Sequence, residues 1–259
     1  MTAFTETMNL GACSLVRALL LLLVCFPAVA QQTTPSAPLT ADEVMLRVGA
    51  MNELRTNALK TYSSIRTYHL ECHCLSHKQA DMVVRTDYVS PNDKQFTIVS
   101  ESGSGSVRNK VFKKLLEAEQ ESMQEDSQRR SAVTPENYAF QLAEYHKSDT
   151  EEFYVLDAKP RAKNKFLFEG RIWVNAKDFA ITRVEGEPAV NPSWWTVKTE
   201  FKRNYQKVDD FWVPQSNESE TKVRMLGTAV LTITYGDYTI TKTPGVNIAS
   251  SQATLSGGQ

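Results

Sequence analysis

From residue 138 to residue 240 the chain is a succession of short segments in which apolar and polar side chains alternate. Each closes on a turn signal, and no helix-length apolar stripe falls between them. A period of two sends successive side chains to opposite faces of a sheet, so this run predicts antiparallel strands joined by tight connections. The segments are 138–142, 153–158, 166–174, 179–186, 194–205, 211–213, 216–226 and 228–240, and Pro214 is expected to end the ladder after Val213. Three more segments of the same kind, 67–75, 82–89 and 95–100, lie upstream. About eleven strands cluster without intervening helices, which predicts an α+β chain with one antiparallel sheet and excludes a βαβ fold.

Two helices are expected. Thr40-Ala41-Asp42-Glu43 has the capping-box pattern, with acids in the first turn. Val44, Val48, Met51, Leu54, Ala58, Tyr62 and Ile65 then recur at three- and four-residue steps and predict about six turns with one face packed on the sheet. In residues 107–130, Val107, Val111, Leu115 and Ala118 form a second stripe, widened by Phe112 and Leu116. Beyond Glu119, the i, i+4 row Glu117, Glu121, Glu125 repels itself and is partly offset by Arg129 and Arg130, so that end is expected to be solvated and mobile. Strands at both ends of the chain point to a single domain over 40–242, with a flexible leader at 31–39 and a disordered Ser/Gly-rich tail at 243–259.

Residues 1–30 read as a signal peptide. Arg17 precedes the apolar run 19–26, and Ala28-Val29-Ala30 is a small-x-small cleavage site. Glu6 weakens the basic region, and a start at Met8 removes it. Val24 before Cys25 and Pro27 after it are a poor lipobox, which favours ordinary cleavage after Ala30. The segment carries one acid and one base, so the formal net charge stays at −1 without it. That balance offers no attraction to phosphate backbones and argues against a nucleic-acid partner. No other run is long enough to span a bilayer. A periplasmic, monomeric protein is expected.

The order of these pieces, with Thr134-Pro135-Glu136-Asn137-Tyr138-x-Phe140, Tyr154-Val155-Leu156-x-x-Lys159-Pro160, Leu167-x-x-Gly170-Arg171-Ile172-Trp173-Val174, Phe179-x-Ile181-x-Arg183-Val184-Glu185-Gly186, Phe211-Trp212-Val213-Pro214 and Thr232-Ile233-x-Tyr235-x-Asp237-Tyr238, resembles the bacterial outer-membrane lipoprotein-sorting family, the LolA-like group with its RseB-like stress-sensor relatives. The resemblance covers residues 40–240. It implies an incomplete antiparallel β-barrel wrapped over two or three helices, with an apolar cavity that shelters a lipid or lipoprotein acyl chain and no cofactor. The alternative it carries is an envelope-stress sensor or interaction module that reads a protein partner. Strand parity nominates the cavity wall: Phe166, Phe168, Ile172 and Val174 share one face while Glu169 and Arg171 share the other. Val197 and Phe201 alternate in the same way, and Leu231 and Ile233 are a weaker pair.

Other constellations are weighed against plainer roles. His69-x-x-Cys72-His73-Cys74-x-x-His77 holds a zinc-type ligand set, but a continuous strand sends Cys72 and Cys74 to one face and the histidines to the other, so no metal site is expected. A Cys72–Cys74 bridge, two packed thiols and an intermolecular bridge all stay open, and a metal- or thiol-handling protein is the third functional reading. Trp194, Trp195 and Trp212 fit half-buried sheet positions with their N–H groups satisfied. Lys159, Arg161, Lys163 and Lys165 fit a solvated loop better than a headgroup site. Hydrolase motifs are missing and His146 sits beside a turn, so the protein is expected not to be an enzyme. Intact mass of the exported protein is expected to begin at Gln31; a diacylglyceryl Cys25 would refute this.

Overall fold

The computed structural model describes residues 38–74, 77–191, 196–225, 227–246 and 248. The segments expected to be signal peptide and leader, up to residue 37, and the Trp194-Trp195 pair lie outside the described residues. Thr40 caps α1 (Ala41–Ala58) as expected: its hydroxyl accepts from the Glu43 N–H at 3.3 Å, and Glu43 Oε2 accepts from the Thr40 N–H at 2.8 Å. The apolar stripe does not carry the helix on to Ile65. The backbone leaves it at Leu59, and Tyr62 and Ile65 belong to β1 (Leu59–Cys74). The run Thr61-Tyr62-Ser63-Ser64-Ile65 is poor in helix formers, and strand pairing on both sides overrides its three-residue spacing.

β2 (Lys78–Val89) and β3 (Asp93–Gly103) follow as hairpins. The predicted second helix is broken into a short turn α2 (Gly105–Val107), a π-helical stretch (Arg108–Phe112), α3 (Lys113–Ser122) and α4 (Glu125–Ser131). Its far end is anchored, because Asn137 Nδ2 donates to the carbonyls of Arg129 and Ala132 at 2.8 and 2.9 Å. Then come β4 (Tyr138–Lys147), β5 (Glu152–Pro160), β6 (Phe168–Asn175), β7 (Ile181–Pro188), β8 (Thr196–Val208), β9 (Phe211–Val223) and β10 (Gly227–Lys242). These ten strands form one sheet in the order β3-β2-β1-β10-β9-β8-β7-β6-β5-β4, every neighbouring pair antiparallel. The sheet is open, with β3 and β4 at its edges.

The count is ten because Pro214 does not end a strand: β9 continues through it. Pro214 sits where the β8–β9 register shifts and before β9 begins to pair with β10 at Ser216, places where a missing N–H breaks no ladder. Gly170 and Gly186 face each other across β6 and β7, and a Cβ on Gly170 would lie 2.0 Å from the Glu185 carbonyl. Only glycines permit that approach. The helical insert leaves one sheet edge and enters at the other. At about 4.8 Å per strand the flat width is roughly 43 Å, and 27 residues of helix reach roughly 40 Å, so the insert has to lie across the sheet.

Asp178 locks the other end of the sheet. It sits in the turn between β6 and β7 and is almost fully buried. Its Oδ2 accepts from Lys207 Nζ at 2.9 Å and from Trp212 Nε1 at 2.8 Å, and its carbonyl accepts from Arg55 Nη2 of α1 at 2.5 Å. The next residue, Phe179, is buried at φ +48°, which strains a bulky side chain and is held by this surround. Burial pulls the Arg55 guanidinium below its ordinary pKa, with Asp178 opposing. Of the tail expected to be disordered, residues 243–246 and 248 are described: the Thr243 N–H donates to the Ala58 carbonyl at 2.8 Å, and Ile248 is buried in the core with α1. Apolar residues in the polar tail, Val246 and Ile248, supply the reason. Asp178→Ala is expected to destabilise the fold by about 3–5 kcal/mol in urea unfolding, because Arg55 is left buried and uncompensated; Asp178→Asn is expected to cost less, since its carbonyl still accepts from Trp212.

Candidate functional site

Register aligns Leu156, Ile172, Val184, Arg203, Asn217, Ile233, Tyr68 and Met82 in a single row across the face that the helices cover. The row is apolar at both ends and polar in the middle. The packed interior divides in the same place. One cluster joins α1 to β4–β7 through Val44, Val48, Met51, Leu156, Ile172 and Val174. The other joins the helical insert to β1, β2 and β10 through Phe112, Tyr68, Leu70, Met82 and Ile233. Between them, against β8 and β9, lies a cavity of about 530 Å³. Leu115, Ala118 and Glu119 of α3 line its helical side. Tyr68, Phe168, Ile233 and Tyr235 contribute apolar wall, and Arg203, Asn204 and Asn217 contribute the polar stripe.

The helix above the cavity is held by charge. Arg66 projects from β1 with its side chain 4% exposed, and its Nη1 donates to Glu119 Oε2 at 2.6 Å. Lys94 of β3 donates to the other carboxylate oxygen at 2.6 Å. The Arg66 guanidinium also lies over the rings of Phe96 and Tyr235, at 5.5 and 5.1 Å. Burial pushes the Glu119 carboxyl up, but Lys94 and Arg66 together bring it below the usual carboxylate range. Burial pushes the Tyr235 phenol well above its ordinary value, despite Arg66. At the mouth, Lys165 Nζ and the Arg130 guanidinium lie over the Phe166 ring at 4.7 and 5.2 Å. Asn217 is among the lining residues, and its buried Oδ1 has no hydrogen-bond partner.

Of the residues nominated from the sequence, Phe166, Phe168 and Ile233 line this cavity. Ile172 and Val174 point inward as their parity requires, but they are fully buried in the α1 cluster away from it. Phe201 also points inward, meeting the Phe168 ring edge-on at 5.7 Å. Leu231 packs on the second cluster. Val197 is 55% exposed and does not face inward. It is the extra residue of a bulge, because Thr196 pairs with Val223 and Lys198 with Lys222, and the bulge cancels the expected alternation. Arg203 and Asn217 were missed; on its own strand each looks like an ordinary polar residue. Glu169 and Arg171 face water as expected. Glu169 lines a larger hollow of about 780 Å³ on the opposite face of the sheet, together with Glu185, Glu187, Glu200, Glu218 and Glu220. Lys198 there bridges Glu187 and Glu200 at 3.0 and 2.7 Å, so part of that charge is already paired.

The weighed residues also find places. Trp212 is half-buried with its indole N–H satisfied by Asp178, as its plain role required. Arg161 Nε donates to the Pro135 and Tyr138 carbonyls, so it is a structural member of the basic loop. His146 stacks on Phe153 with ring centroids 4.7 Å apart. Cys72 is disulfide-bonded, which withdraws its thiolate from any ligand set.

A family model described as a family of unknown function, DUF5686, matches residues 77–239. No curated protein matches. Solved structures similar to the chain include a putative outer membrane lipoprotein-sorting protein domain from Vibrio parahaemolyticus, at 12% identity and TM-score 0.40, covering 83% of this chain and 99% of that one. A DUF1329 family protein from Desulfovibrio piger has 10% identity and TM-score 0.38, over 80% of this chain and 96% of that one. A LolA superfamily protein from Nitrosomonas europaea has 12% identity and TM-score 0.36, also over 80% and 96%.

Since the folded Glu119 carboxyl lies below its unfolded value, its contribution to stability is complete above the ordinary carboxylate pKa of about 4.3 and is lost as pH falls through the depressed folded value. Hydrogen exchange in α3 is expected to accelerate in that acid window. Glu119→Gln is expected to remove the acid dependence and to cost about 3 kcal/mol, because Arg66 is left buried beside Lys94 without a counter-charge.

Proposed function

The chain belongs to the DUF5686 family, a family of unknown function, and from that premise we propose a non-enzymatic periplasmic binding protein that shelters the acyl chain of a lipid or lipoprotein between α3 and the helix-covered sheet face. The observation that carries this reading is the break in the packed interior: apolar walls from two separate clusters face a ligand-sized space with cations at its mouth. Hydrocarbon lying against Tyr68, Phe168 and Ile233 gains roughly 25 cal/mol for each Å² taken from water. An anionic headgroup is met by Lys165 and Arg130 at the mouth, while Arg203, Asn204 and Asn217 offer polar partners deeper in the cavity. The chemistry is sequestration and release. α3 is the movable wall, because ion pairs with Glu119 hold it across one side of the cavity.

A second reading, a module that binds a protein strand, is favoured by the β3 edge. Among the described residues no strand lies beyond β3 in the sheet, and Ile98 and Val99 on it are 50% and 59% exposed. Titration of the full chain with a fluorescent fatty-acid analogue separates the two. Saturable uptake is expected, and Ala118→Trp, an exposed position on the cavity wall, is expected to weaken it at least tenfold while the melting temperature holds. Ile172→Trp serves as the contrast: in a packed core it is expected to unfold the protein by overpacking. Absence of any saturable acyl probe, or indifference to Ala118→Trp, would overturn the carrier reading.

A further inference from the structure

On the face of β1 turned away from the helices, Glu71 and His73 are neighbours at i and i+2, and His77 stands beside them where the chain enters β2. His77 Nε2 is 3.2 Å from Glu71 Oε1, and His73 Nε2 is 3.8 Å from Glu71 Oε2. One donor atom from each of the three lies within 4.8 Å of the others, and the two imidazole rings meet edge-on at 5.5 Å. Strand parity separates the histidines from Cys72, which is already disulfide-bonded, but it leaves a carboxylate on their own side.

We propose that Glu71, His73 and His77 form a binding site for a borderline divalent transition ion, such as zinc, at the β1–β2 hairpin. In a tetrahedral zinc site with bonds of about 2.0–2.1 Å, ligand atoms stand about 3.3 Å apart. The two imidazoles stand 3.2 and 3.8 Å from different oxygens of Glu71, and one donor atom from each residue lies within 4.8 Å of the others, so rotation of these side chains brings the three toward one centre. Two neutral imidazoles and one carboxylate suit zinc, copper and nickel better than magnesium or calcium, which prefer all-oxygen shells. Three protein ligands leave a fourth position open to water or to a ligand from a partner. Glu71 is held on both sides, by Gln79 of β2 and Val230 of β10, and His73 pairs with Thr228 of β10. His69, paired with Asp81 at 2.7 Å further along the same strand, is engaged elsewhere and is not one of the three.

Untagged full chain, kept oxidised, is titrated with zinc chloride by calorimetry. One ion per chain is expected, with a rise in melting temperature that EDTA reverses. His73→Ala and His77→Ala are each expected to weaken zinc at least tenfold, and Glu71→Gln to weaken it by a smaller but measurable factor. All three positions are on the surface, so the melting temperature in EDTA is expected to match the wild type and shows that each variant is folded. Absence of saturable zinc binding, or binding unchanged in the His73→Ala/His77→Ala double variant, overturns the site. Zinc affinity that instead collapses with His69→Ala moves it to the His69–Asp81 pair and overturns the assignment as well.

Discussion

Glu119 reaches from the helical insert to two cations on the sheet, Arg66 of β1 and Lys94 of β3, each at 2.6 Å. Without that carboxylate Arg66 is a buried charge with no counter-ion, and α3, none of whose residues is fully buried, keeps only the packing of Leu115 and Leu116 on the second cluster and the Glu121–Lys165 pair. Buried ion pairs add little net stability compared with apolar packing of the same volume. They do fix geometry, and here the geometry is a helix suspended over a sheet without filling the space beneath. An apolar contact in place of the triad would draw the helix down and close the cavity.

Asp178 plays the matching part at the other end. It ties α1, the β6–β7 turn and the β8–β9 hairpin together through Arg55, Lys207 and Trp212. Each helical element is thus moored to its own half of the sheet, α1 to β4–β7 and the insert to β1, β2 and β10. The strands between the moorings carry Arg203 and Asn217 at the centre of an otherwise apolar row. A ten-stranded sheet is wider than either cluster, and the space between them, beneath α3, is left unfilled.

Much of this was legible along the chain. The capping box at Thr40, the parity of β6 and the antiparallel order follow from local chemistry, because cap geometry and side-chain alternation are set by neighbours in sequence. What was not legible depends on neighbours in space. Pro214 reads as a stop until the partner strand is known to leave there. Tyr62 and Ile65 fit a helical stripe until β2 and β10 claim them. Val197 alternates correctly until a bulge adds one residue. The polar gap at Arg203 and Asn217 exists only across strands, so no single segment displays it. Glu71 escaped notice for a related reason: the eye follows cysteines and histidines, and the carboxylate that completes the trio is an unremarkable residue on the same face.

The pairing of β1 with β10 has a consequence for how the molecule comes into being. Leu59 meets Lys242 and Cys74 meets Gly227, so the first strand synthesised waits for the last. Closing a loop of some 150–180 residues costs about 4–5 kcal/mol of chain entropy before any contact repays it. The β1–β2–β3 hairpins can form early from local contacts, while one flank of β1 stays open. Such a topology folds slowly, and its most exposed intermediate is a three-stranded sheet with an unsatisfied inner edge. That edge, transient in the free chain, is the stretch that a chaperone would have to guard.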